Sequence, residues 1–194
     1  MKLLLFYRAT VVMAAAGAYA AENGPVLLCV QHKGPVNTFV MARAQTVVNA
    51  VFSNADIRIE WLPSRRCINA PDNVVRIEMD AVAAPGFGPQ TMAYALPYRE
   101  TGTTIHIFYD RVVQGHHDQP GELLGHVMAH EIGHVLEGVA RHSPGGLMKA
   151  HWGLKDYWEM KKQRLFFAAE DVELMHLHLQ RHSAGGVTAQ SERE

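Results

Sequence analysis

The chain has 194 residues, of which 48% are hydrophobic and 19% charged, and a formal net charge of −1. That balance excludes a strongly basic nucleic-acid-binding surface and a long acidic solvating tail, and the length suits one buried core rather than two. The first segment predicts export: Lys2 is positive, Leu3 to Ala16 is largely apolar, and Ala18-Tyr19-Ala20 is an A-x-A cleavage site. Arg8 interrupts the apolar run, which is too short to span a bilayer. Residues 1–20 are therefore expected to be a signal peptide, and the mature protein to be secreted or periplasmic with no stable membrane insertion. Cleavage after Ala20 removes Lys2 and Arg8 and takes the net charge from −1 to −3. In an oxidising compartment the two cysteines, Cys29 and Cys67, are expected to pair.

Pro25 to Gln31 is a short branched apolar run and predicts a buried strand. Val36, Phe39, Val40, Ala44, Val47, Val48 and Val51 recur at helical spacing, which predicts a helix starting near Pro35 and ending at Phe52. Ile57 to Trp61 alternates and predicts a strand with one wet face, Pro63 to Asn73 a loop, and Val74 to Met79 a third strand. Ala84 to Pro89 is dense in proline and glycine and marks a surface excursion. Thr103 to Tyr109 reads as a fourth strand, with an edge segment at Met92 to Leu96 before it. His106, inside that fourth strand, reads as a cross-strand or surface histidine. His116 and His117 fall in the next loop. Asp118, Pro120 and Glu122 then supply the start of a helix expected to run to Glu137. A charged helical stretch follows at Leu154 to Phe167, and an amphipathic one at Ala169 to His182. Residues 183–194 read as a frayed polar tail. Strands and helices interleave, so the fold class is α+β, or mixed α/β, in a single domain over residues 21–182.

The chemistry concentrates at the end of the Pro120–Glu137 helix. His130-Glu131-Ile132-Gly133-His134 places two imidazoles at i and i+4 on one helical face, where both can close on one ion. Zinc accepts neutral imidazole nitrogen at roughly 2.0–2.1 Å in a four-coordinate shell. Glu131 is displaced around the helix, where it can reach a water beside the ion without being a ligand. This is the mechanical core of a zinc peptidase. Gly138 can take positive φ and reverse the chain, which can bring His142 back as a third ligand. Ser143-Pro144-Gly145-Gly146-Leu147-Met148 is a turn by composition and carries Met148 close behind the histidines. His126 precedes His130 by one turn, but its rise of about 12 Å to His134 is too long for a shared ion. It is expected to pack or to support. Glu137, about 10 Å up the axis from His130, is expected to be an ordinary polar residue at the helix end.

These twenty residues resemble the metzincin zinc peptidases, whose signature is H-E-x-x-H-x-x-G-x-x-H followed by a methionine turn. The run H-S-P-G-G-L-M is similar to the matrixin ending. The glycine comes one residue late, and His142 lies eight residues after His134 where the family has six. The resemblance implies a metzincin-like zincin domain: a twisted sheet with a long helix, a zinc-binding helix beneath it, and a small C-terminal helical part. It further implies a Zn²⁺ metalloendopeptidase acting on protein or peptide as a monomer. His130, His134 and His142 would hold the metal, Glu131 would act as general base, and Met148 would form an apolar floor. Two alternatives stay open. A downstream carboxylate, Glu170 or Glu173, could be the third ligand as in gluzincins, or the chain could be a non-catalytic exported zinc-binding protein.

Overall fold

The structure is a computed structural model describing residues 24–71, 73–96, 103–115 and 118–191, with only the backbone described for residues 96, 115 and 182–191. The expected signal peptide, His116 and His117 lie outside the described residues.

Eleven elements follow in order: β1 (Val26–His32), α1 (Thr38–Asn54), β2 (Ile59–Trp61), α2 (Ser64–Cys67), β3 (Val75–Asp80), β4 (Ala93–Leu96), β5 (Thr104–Phe108), α3 (Tyr109–Gly115), α4 (Pro120–Glu137), α5 (Leu154–Lys161) and α6 (Ala169–Ser191). The strands form one twisted five-stranded sheet in the order β2-β1-β3-β5-β4. β1 pairs in parallel with β2 and β3, and β3 with β5, whereas β4 is antiparallel to β5 and lies at the edge. This is the mixed α/β domain that the interleaved pattern predicts.

Side chains alternate across the sheet, so each strand splits its residues between two faces. Leu28, Ile77, Met79, Ile105 and Ile107 are fully buried in the core that also takes in α1 and α4. The two helices cross almost backbone to backbone. A Cβ on Gly125 would lie 2.5 Å from Val47 Cβ and 2.8 Å from the Ala44 carbonyl, so α4 can seat there only without a side chain. Arg43 Nε donates to Glu122 Oε1 at 2.8 Å and closes the same crossing. On the opposite face Cys29 and Cys67 are joined by a disulfide, Cα to Cα 5.6 Å, packed with Leu62 and Val74. Among the described residues no helix is long and apolar enough to cross a membrane.

Several boundaries move from their sequence expectations. α1 starts at Thr38 because Asn37 Oδ1 caps it, accepting from Phe39 N at 2.9 Å and Val40 N at 3.3 Å. β2 starts at Ile59, after Asp56 reverses the chain at φ 54° and Ile57 N bonds back to Phe52 O. The expected loop at Pro63 to Asn73 holds the short helix α2, and β5 passes directly into α3, which the sequence reading did not anticipate. α5 stops at Lys161 rather than Phe167, because Gln163 takes φ 55°, outside the helical basin. α6 continues past His182 to Ser191, through residues the sequence reading assigned to a frayed tail because they are small and polar. Residues 192–194 lie outside the described residues.

Candidate metal centre

α4 carries the first two histidines and the reversal after it brings in the third. Gly138 ends the helix at φ 68°, and its N–H bonds to His134 O at 3.2 Å and Val135 O at 3.3 Å. Positive φ suits glycine, and a Cβ here would also fall 2.2 Å from the His178 ring. The chain then returns so that His130, His134 and His142 present ligand atoms within 4.8 Å of one another. The two Nε2 atoms of His130 and His134 lie 3.1 Å apart. His142 compensates for its late position in sequence by its place on the returning loop.

The orientation of each ring has a cause. His130 Nδ1 donates to the Leu147 carbonyl at 2.9 Å, which assigns the hydrogen to Nδ1 and leaves the Nε2 lone pair facing the other rings. Trp152 Nε1 donates to the same carbonyl at 3.0 Å, and its indole meets the His130 ring edge to face at 5.4 Å. Leu147 is itself fixed by its N–H bond to Phe166 O at 2.8 Å, and Ser143 N closes the turn onto Met148 O at 2.8 Å. Met148 is fully buried. A Cβ on Gly133 would lie 2.7 Å from its sulfur, so the thioether packs on bare helix backbone.

The loop carrying His142 is clamped from the far side. Asp171, fully buried on α6, accepts from Arg141 Nη2 at 2.9 Å, from Ser143 Oγ, and through Oδ2 from Ala168 N at 3.0 Å. Glu137 differs from its expectation. It is buried rather than an ordinary polar helix end, 3.4 Å from Arg141 Nε, and burial raises its carboxyl to about 7. His126 supports the helix as expected: it is buried and its Nδ1 donates to Glu122 O at 2.7 Å.

Electrostatics prepare the three rings to be ligands. Burial, with the neighbouring imidazoles adding to it, lowers His130 to about 4 and His134 to about 3. Burial and the nearby His151 lower His142 as well. All three are therefore neutral near pH 7, the form that binds a metal. Two imidazole nitrogens facing each other at 3.1 Å, one of them a bare lone pair, form a donor set that fits a soft-to-borderline cation such as zinc. Glu131 lies beside them, only 8% exposed, and burial raises its carboxyl to about 8. A cleft of about 930 Å³ opens over this group. Met92 and Ala93 line it from the strand side, His130 and Glu131 from α4, His142 from the returning loop, and Trp152 from the C-terminal part.

Glu170 and Glu173 do not join the histidines. Glu170 is 68% exposed and pairs with Arg141 Nη1 at 3.6 Å, and Glu173 is exposed. Among the described residues the groups with metal-ligand spacing are the three histidines and a second set, Glu78, Asp80 and His106. Sequence reasoning did not single out Arg141, Asp171 or a bonding role for Trp152. The S-P-G-G turn required something to hold it, but not from an identifiable partner.

The five-stranded sheet, with α1 crossing the histidine-bearing helix α4, is a mixed α/β fold shared with solved structures. One solved structure with it is archaemetzincin from Methanopyrus kandleri, which superposes with a TM-score of 0.55 at 15% identity, covering 86% of this chain and 99% of that one. At that identity the likeness establishes the fold. No family model and no curated protein matches the sequence.

Proposed function

We propose that this chain is an exported zinc-dependent metalloendopeptidase, with His130, His134 and His142 holding the ion and Glu131 as general base. The observation that carries this reading is the convergence of three neutral imidazoles beside a buried carboxyl group, with His130, Glu131 and His142 lining an open cleft. Bound zinc would supply positive charge that acidifies a water, polarises the scissile carbonyl and favours the ionised form of Glu131. Glu131 takes the proton from the attacking water on its carboxylate and passes it to the leaving amine. Its burial keeps the pKa poised for both transfers. The Leu147 carbonyl, shared by His130 and Trp152, holds the first ring at one angle.

The substrate side follows from the sheet. β4 is an antiparallel edge strand; its Ala93 and the preceding Met92 border the cleft, and among the described residues no strand pairs with its other edge. An extended peptide can add there through main-chain hydrogen bonds and lie across the histidines. A protein or peptide is the substrate class such a groove admits.

Glu131→Gln tests the assignment, since it keeps the shape and removes the base. Hydrolysis of an unfolded protein should fall by at least about 10²-fold with metal content unchanged. A chelator should abolish activity in the native chain and zinc should restore it. If the native chain cleaves nothing across a diverse peptide library while binding zinc, it is a metal-binding protein instead. If zinc survives His142→Ala and is lost with Glu170→Ala or Glu173→Ala, a carboxylate holds the third position.

A further inference from the structure

The outer face of the sheet carries a second group of metal-ligand side chains, far in sequence from the histidines of α4. Glu78 and Asp80 are two apart on β3, so both project from the face turned away from α1 and α4. His106 of β5 pairs in register with Glu78 and projects from the same face. Its Nδ1 lies 2.9 Å from Asp80 Oδ2 and 3.6 Å from Glu78 Oε2. One nitrogen and two carboxylate oxygens thus lie within 4.8 Å of one another. All three side chains are only about one-fifth exposed, at 22%, 23% and 19%.

Two features separate this group from a casual surface ion pair. The first is that the imidazole is held by a wall. Tyr94, its register partner on β4, stacks on it at 4.7 Å and 8°, and Phe87 of the surface excursion stacks on Tyr94 at 4.6 Å. Arg111 Nη1 pins that excursion by donating to Gly88 O and Thr91 O at 2.6 and 2.7 Å. The ring therefore keeps Nδ1 aimed between the carboxylates. The second is the charge balance. Two carboxylates on one strand face repel, and the nearby lysine does not fill the space between them. Lys33 Nζ approaches Glu78 from the other side, 3.4 Å from Oε1, and leaves Oε2 to the His106 side.

We propose that Glu78, Asp80 and His106 form a second metal site, for a divalent first-row transition cation such as zinc. An imidazole ligand favours such ions over magnesium or calcium, which take all-oxygen shells. The cation takes the place of the Nδ1 hydrogen between His106 and Asp80, and the ring's remaining hydrogen sits on Nε2. Three protein ligands in a partly exposed position leave the rest of the shell to water. The occupied site cross-links β3 to β5 and, through Tyr94, steadies β4 beside the cleft. This inference stands independently of the proposed peptidase activity.

The test is metal content of the full-length chain, stripped with chelator, reloaded with zinc at neutral pH and gel-filtered. Native protein should retain two equivalents. His106→Ala, Asp80→Asn and Glu78→Gln should each retain one, with unfolding temperatures of the stripped proteins close to native. The double variant His130→Ala/His134→Ala should also retain one, and adding Asp80→Asn to it should remove that one. His32→Ala, a histidine outside both groups, should retain two. Cobalt loading supplies a second readout: the visible spectrum of the His130/His134 double variant should show a bound ion, lost again with Asp80→Asn. A His130→Ala/His134→Ala double variant that holds no ion, or outer-face variants that hold as much metal as the native chain, would overturn the assignment.

Discussion

Asp171→Ala should weaken the protein more than any exposed charge change, because three donors converge on that one carboxylate. The carboxylate is fully buried and accepts from Arg141, Ser143 and Ala168 N. Truncation removes the N-terminal capping bond of α6, about 1 kcal/mol, and a charge-assisted bond to the Ser143 hydroxyl, about 1.5–3 kcal/mol. Arg141 keeps a quarter of its side chain in solvent and recovers part of its loss there, as well as through Glu137. Bonds sharing one acceptor are not additive, so the total is about 3–4 kcal/mol, within the range for breaking a buried pair. For a chain of 194 residues that lowers the unfolding temperature by roughly 6–16 °C. Glu170→Ala removes a carboxylate from the same helix and the same arginine, but one that is 68% exposed, and should cost under about 0.5 kcal/mol. Thermal and urea unfolding of the stripped proteins would measure both. Zinc should also leave the His142 loop of Asp171→Ala faster, read by transfer to a chromogenic chelator. Equal unfolding temperatures for the two variants would refute the reasoning.

Gly138→Ala combines a left-handed backbone with a Cβ at 2.2 Å from His178, and should cost roughly 2–4 kcal/mol by urea unfolding. Reducing Cys29–Cys67, which are separated by 38 residues, should cost about 4 kcal/mol on loop entropy and lower the denaturation midpoint without altering zinc content. Glu137 has a folded pKa raised to about 7 from 4.5. The folded chain therefore keeps a proton that the unfolded chain releases, so its contribution is present below pH 4.5 and is lost as pH rises toward 7. Glu137→Gln should flatten that part of the stability–pH curve and raise stability at pH 8, and an unchanged slope would place the titration elsewhere.

Helical spacing alone put His130 and His134 on one face with Glu131 displaced beside them, and the positive φ of Gly138 follows from its place at the end of a periodic run. Those features are local, and local chemistry is visible in a string of residues. His142 was harder, because its spacing differs from the family pattern and its position depends on Arg141 meeting a carboxylate 30 residues later. Glu137 looked ordinary because its burial comes from α6, not from α4. The strands were visible as alternating runs, but their order was not, and β3 lies beside β5 only through register that no single segment encodes. His106 read as a bland cross-strand residue for the same reason: its neighbours Glu78 and Asp80 are more than 25 residues away in sequence. α3 was missed because Tyr109 to Gly115 is too short for helical periodicity to show against the strand before it.

The position of Asp171 along the chain imposes an order of events during synthesis. A ribosome releases α4, the reversal and the methionine turn before it releases the residue that locks them together. Until α6 emerges, a nascent chain presents two histidines on a helix and a third on an untethered loop, a weak trap for any ion. Firm placement of the third histidine is thereby deferred until α6 has emerged.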